Sequence, residues 1–134
     1  MADTVTSQTI QDDNRKAVLK FTNISDGTGE SAVTKIDVSS LQANSRGDAC
    51  TEVAISKIWW QCVGMGVELL NDATTDTLII GLSPDSNGYH DYSSFSGIPN
   101  DAGSGKTGDV KFTTIGASNT DTYTVIVEVI KSYT

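Results

Sequence analysis

The sequence predicts an all-β fold, a single-domain antiparallel β-sandwich of about eight strands, with the jelly roll among the arrangements that this number suits. Three observations carry the prediction. Thr122 to Lys131 alternates so that Tyr123, Val125, Val127 and Val129 share one face, while Thr124, Ile126, Glu128 and Ile130 share the other. Lys16 to Ile24 sets Ala17, Leu19 and Phe21 against Lys16, Val18, Lys20 and Thr22, a second half-buried strand. Helical periodicity is almost absent, and the two prolines, Pro84 and Pro99, both fall in one Gly-, Ser- and Asn-rich stretch.

The remaining elements follow in chain order. A polar N-terminal strand is expected around Val5 to Ile10. Residues 1–14 have too little apolar content to be held by their own core, so they read as an arm ordered by strand pairing or by a partner. Ser25 to Glu30 is a turn cluster whose glycines can take positive φ. Because Ala32 to Val38 resumes the alternation, it and Lys16 to Ile24 read as a hairpin. After the loop Ser39 to Thr51, Glu52 to Val63 is apolar on both faces and reads as a central strand. A turn at Val63 to Gly66, a strand from Val67 to Asn71 and a short strand from Thr77 to Leu82 come next, and Val110 to Ile115 alternates again. Between them lies Ser83 to Gly108, too long for a plain connection; loops of this length usually carry a contact. The 134 residues therefore form one unit, with residues 83–108 as a long contact loop.

A net charge of -8 from 17 acidic and nine basic residues argues against a phosphate-binding surface, and no nucleic-acid partner is expected. No apolar run is long enough to span a membrane, and the N-terminus lacks the basic start and apolar stretch of a secretory signal. The chain reads as soluble and made in a cytoplasm. Cys50 and Cys62 are too few for a disulfide framework or a zinc site. Cys62 reads as a small buried hydrophobe; a bridge to Cys50 is the minority alternative in a reducing compartment.

Asn100 to Thr107, N-D-A-G-S-G-K-T, falls one glycine short of the phosphate-binding loop G-x-x-x-x-G-K-[ST]. A strand pattern follows it where that loop must open a helix, so no helix dipole is present to hold phosphate. Its glycines are expected to serve a close backbone approach, with Lys106 offered to an acidic neighbour. His90 is the single histidine, and a hydrolase would need it beside Ser93, Ser94 or Ser96, yet no G-x-S-x-G elbow exists. Asp85, Asn87 and Asp91 lack the bidentate acid of an EF-hand loop. Glu52, Glu68 and Glu128 lie in predicted strands, where paired carboxylates for glycoside hydrolysis would have to share a face. Trp59 and Trp60 point to opposite sides of their strand, so one enters the core and the other meets solvent, the second sheet or a partner. No catalytic residue, metal, cofactor or small-molecule substrate is expected.

Three blocks, Lys20 to Leu41, Lys57 to Trp60 and Gly97 to Asp109, resemble tailed-bacteriophage virion structural proteins of the capsid decoration or cement type. They cover well under half the chain and carry no catalytic residues. The resemblance implies a non-enzymatic particle component on the capsid surface, made in the host bacterial cytoplasm, that contacts the major capsid protein and copies of itself as a trimer. Tail, neck or fibre placement and a carbohydrate-binding module are the alternatives. The contact residues expected are Trp59, Trp60, Tyr89, Tyr92, Phe95, Ile98 and Lys106.

Overall fold

A computed structural model describes residues 3–133. Nine strands make up nearly all of the regular structure: β1 (Thr4–Asp12), β2 (Lys16–Asp26), β3 (Val33–Ile36), β4 (Glu52–Val63), β5 (Gly66–Asn71), β6 (Thr77–Leu82), β7 (Asn87–Asp91), β8 (Val110–Ile115) and β9 (Asn119–Ser132). They form two antiparallel sheets, ordered β1-β2-β9-β4-β7 and β3-β8-β5-β6. With β1 set aside, the other eight pair as one long folded ribbon: β2 with β9, β3 with β8, β4 with β7 and β5 with β6. Rolling that ribbon brings β4 beside β9 and β5 beside β8. The chain is a β-sandwich with jelly-roll strand order, extended by β1 at one edge.

This topology corrects two expectations and meets a third. Strands β2 and β3 are not a hairpin: they lie in opposite sheets, because each finds its antiparallel partner across the ribbon and not in its sequence neighbour. The N-terminal strand expected around Val5 to Ile10 is present as Thr4–Asp12, which adds a fifth strand by pairing with β2, so strand pairing orders this segment; Met1 and Ala2 lie outside the described residues. The Ser83–Gly108 stretch is not without regular structure. It contains β7 and a 3-10 turn at Ser93–Phe95. The sequence N-G-Y-H-D of β7 hides its strand because an edge strand need not alternate; pairing with β4 defines it instead.

Burial follows the alternation read from β2 and β9. Phe21, Tyr123, Val125, Val127 and Val129 are each at most 1 % exposed, and Val67, Leu69 and Phe112 of the facing sheet are fully buried. Phe21 of one sheet meets Phe112 of the other edge-on at 5.2 Å, and Phe112 lies 5.9 Å from Tyr123, the edge-to-face geometry favoured by aromatic quadrupoles. Cys50 and Cys62 are free and buried in this core, and burial pushes the Cys62 thiol up to about 11.

The inner face of β9 ends on a charge. Lys131 has a side chain with no exposed area. Its ammonium donates to the Asp12 carboxylate, to the Asp13 carbonyl at 2.6 Å and to the Gln42 carbonyl at 3.0 Å. All three lysine donors are thereby used. The same Asp12 carboxylate accepts from the Gln42 backbone N–H at 2.8 Å, so the β1–β2 turn and the loop after β3 are held to β9 at one point.

Lys131→Ala leaves a carboxylate and two carbonyls without this partner, and is expected to cost about 3 kcal/mol or more in urea unfolding. Neither thiol is expected to react with a disulfide reagent at pH 8 in the folded protein, and both should react after denaturation. Rapid labelling of the native protein would contradict the buried, protonated state.

Candidate interaction surface

The outer face of the five-stranded sheet can be read across the strands from their register. One row runs Gln8, Lys20, Ile126, Trp59, Tyr89. Beside it on one side lie Thr6, Thr22, Thr124, Gln61 and Asn87, and beyond them Thr4, Ile24, Thr122 and Val63. On the other side lies Glu128, between Lys16 at 3.5 Å and Lys57 at 3.8 Å. Glu128 is thus paired within the chain, and the other acid of this row, Asp91, stands exposed on edge strand β7 opposite Lys57. What remains open is apolar and hydroxyl-rich: Ile24, Trp59, Val63 and Tyr89 are 55, 37, 47 and 47 % exposed.

Trp59 and Tyr89, cross-strand partners on β4 and β7, stack at 5.2 Å with planes 26° apart. Ile126 occupies the other neighbouring strand position. The two rings therefore cover one another and do not lie side by side as a flat platform. Trp60 turns to the opposite side, where it is half-buried against the core and its indole N–H donates to Ser86 Oγ at 3.1 Å. Gly88 pairs with it across the ladder, and a Cβ there would stand 3.0 Å from the indole.

From Trp60 a line of rings runs to the sheet edge: His90 at 5.0 Å, Tyr92 a further 5.8 Å on, and Phe95 5.9 Å beyond. Tyr92 is tied to β4 by its N–H to the Ser56 carbonyl at 2.7 Å. Phe95 is 59 % exposed. The chain then reverses through Ser96 and Gly97, both at positive φ. A Cβ on Gly97 would be 2.9 Å from the Ile55 carbonyl oxygen, so glycine is needed for Ile98 to exchange two backbone hydrogen bonds with Ile55. Of the seven contact residues expected, Trp59, Tyr89 and Phe95 are exposed, while Trp60, Tyr92 and Ile98 pack in part against the core.

Lys106, the seventh, is partly exposed, and its Nζ lies 3.2 Å from Glu52 of the same chain. The near phosphate loop is a tether across the sandwich: the Ser104 carbonyl accepts from Thr74 N–H at 3.2 Å, and Thr107 Oγ1 donates to Asp72 at 2.7 Å. Lys111 and Thr107 together hold the Asp72 carboxyl below its usual range. Gly108 completes the tether, since a Cβ there would be 1.9 Å from the Thr51 carbonyl oxygen.

The other chemical candidates are dispersed. His90 is exposed on edge strand β7. Glu68 lies on β5 of the opposite sheet from Glu52 and Glu128. Asp85 and Asp91 accept from the backbone N–H groups of Gly64 and Ser93, at 2.7 and 2.8 Å. Among the described residues no three His, Cys, Asp or Glu side chains gather as a metal site. Ile24, Val63 and Ile126 escape sequence inspection as surface residues. Alternation places each on a face, and only the register sets Ile126 beside Trp59 and Ile24 in one row with Val63.

Trp59→Ala is expected to change unfolding free energy by no more than about 1.5 kcal/mol, the scale of an exposed aromatic pair. Trp60→Ala should cost about 2 kcal/mol or more, through lost packing and the lost Ser86 bond. Denaturant titration of both variants measures the difference. Compared with models of known protein families and with curated protein sequences, the chain matches none.

Proposed function

We propose that this chain is a non-enzymatic structural protein of a phage virion, a head decoration protein that stabilises the capsid by protein–protein contacts with the major capsid protein and with its own copies. The observation that carries this reading is the outer face of the five-stranded sheet, where Ile24, Trp59, Val63 and Tyr89 stand exposed while Glu128 is neutralised by lysines of the same chain. Interfaces draw their binding energy from a few aromatic anchors set in a surface whose charges are few or paired. Jelly rolls occur in capsid and lectin domains alike, so the fold by itself does not choose between them. The three sequence blocks that resemble virion decoration proteins favour the first.

A carbohydrate-binding module is the second reading, and the exposed Trp59–Tyr89 pair is what favours it. Sugar stacking needs an open ring face, whereas Trp59 has Tyr89 stacked against it on one side and Ile126 on the neighbouring strand at the other. The pair is better suited to insertion as a ridge into a protein groove.

Capsids lacking this protein are expected to lose heat resistance and to regain it when purified protein is added back. Trp59→Ala with Tyr89→Ala should lower capsid occupancy about tenfold or more without unfolding the protein. Location of the protein only on tails, or full occupancy by the double variant, would overturn the assignment. Binding of the unmodified protein to glycans with no binding to capsids would establish the second reading in its place.

A further inference from the structure

At the end of the sandwich opposite Lys131 lies a second buried lysine, in a different setting. Lys35 is the extra residue where the β3–β8 register shifts between Thr34 and Ile36, and a bulge of this kind re-aims a side chain. Its side chain is 8 % exposed, and its Nζ lies 2.5 Å from Glu30 Oε2, a carboxylate that is itself 7 % exposed. The other oxygen, Oε1, accepts from Asn23 Nδ2 at 3.0 Å and from the Tyr123 hydroxyl at 2.7 Å. Glu30 is fixed in place by its backbone, whose N–H donates to Thr114 Oγ1 at 2.8 Å and whose carbonyl accepts from Thr114 N–H at 2.9 Å.

Asn23 is 1 % exposed on β2. Its Nδ2 donates to Asp3 at 3.1 Å as well as to Glu30, while its Oδ1 is buried without a partner among the described residues. A buried amide retained with an orphaned carbonyl oxygen is costly to a fold that needs it only for packing. Here an amine and the nitrogen of a side-chain amide are held by the two oxygens of one buried carboxylate, between strands of the two sheets.

We propose that Lys35 and Asn23 form an intramolecular isopeptide bond, with Glu30 as the proton carrier. Glu30 takes a proton from the Lys35 ammonium, and the freed Nζ swings from Oε2 to attack Cγ of Asn23. The Nζ–Cγ bond forms and the Cγ–Nδ2 bond breaks. Glu30 passes the two protons lost by Nζ to the departing Nδ2, which leaves as ammonium, and the carboxylate is regenerated. No oxidant or other reactant enters. Amines do not ordinarily displace amides, but fixing both groups in one site is equivalent to an effective concentration of roughly 10⁵ M or more, and the Tyr123 hydroxyl orients the carboxylate that moves the protons. The product is an amide cross-link between β2 and β3, which the jelly roll places in different sheets, and it forms whatever the protein attaches to.

Mass spectrometry of the folded, purified full chain tests this. The main species is expected to be lighter than the sequence by one ammonia. After denaturation, trypsin should fail to cut at Lys35, giving one peptide from Phe21 to Arg46 with no fragment ions between Asn23 and Lys35. Lys35→Arg and Glu30→Gln should both restore the full mass. A wild-type chain of full mass cut normally at Lys35 would overturn the proposal. So would loss of ammonia with Lys35 still cleaved, which would mark an asparagine succinimide. Cross-linking that persists in Glu30→Gln would remove Glu30 from the mechanism.

Discussion

The two sheets are held in register by Phe112, which reaches from β8 to Phe21 on β2 and Tyr123 on β9. A sandwich is stable only if the inner faces interdigitate without voids, and these three rings span the layer where the ribbon closes on itself. β2 and β9 are the first and last strands of that ribbon, so their meeting over one ring joins the two ends of the chain's folded path. Tyr123 also carries the only hydroxyl in this group out of the apolar layer to Glu30. The apolar centre and the polar end of the sandwich are therefore continuous.

Both ends of the sandwich are finished by buried lysines. Desolvating an ammonium is costly unless every donor is met. Lys131 meets this with three oxygen acceptors, whereas Lys35 is paired with one carboxylate already anchored to β8. Lys16, Lys35, Lys57, Lys106, Lys111 and Lys131 all pair with acids of their own chain, six of the nine cations that the sequence holds. The cations serve mainly to hold the fold together, and the acidic excess is left for the surface. The only cation in the row of Trp59 and Tyr89 is Lys20.

The interaction surface and the fold depend on different parts of the same strands. In β4, Ile58 is fully buried and Trp60 packs on the core side, while Trp59 between them stands on the outer face. The period of two that builds the core thus also delivers the exposed anchor, and contact residues can be altered on one face while the other keeps the sandwich intact.

Strand existence was legible from residues: the alternation in Lys16–Ile24 and Thr122–Lys131 depends on burial of one face, a local property of each strand. The class of fold followed from it. Pairing was not legible. The turn at Ser25–Glu30 suggested that β2 and β3 are neighbours, whereas closure of the ribbon places their partners, β9 and β8, far away in sequence. Strand β7 was invisible for the same reason, since its hydrogen bonds come from β4 and its own residues need not alternate. Lys106 offered a charge but not its partner, because Glu52 is brought beside it only by the loop's course across the sandwich. Sequence by itself determined which faces are apolar, since hydrophobic burial is encoded residue by residue. Only the tertiary structure decided which faces and charges meet, because register and ribbon closure join residues that no local pattern connects: Trp59 with Tyr89, Lys131 with Asp12, and Lys35 with Asn23 across Glu30.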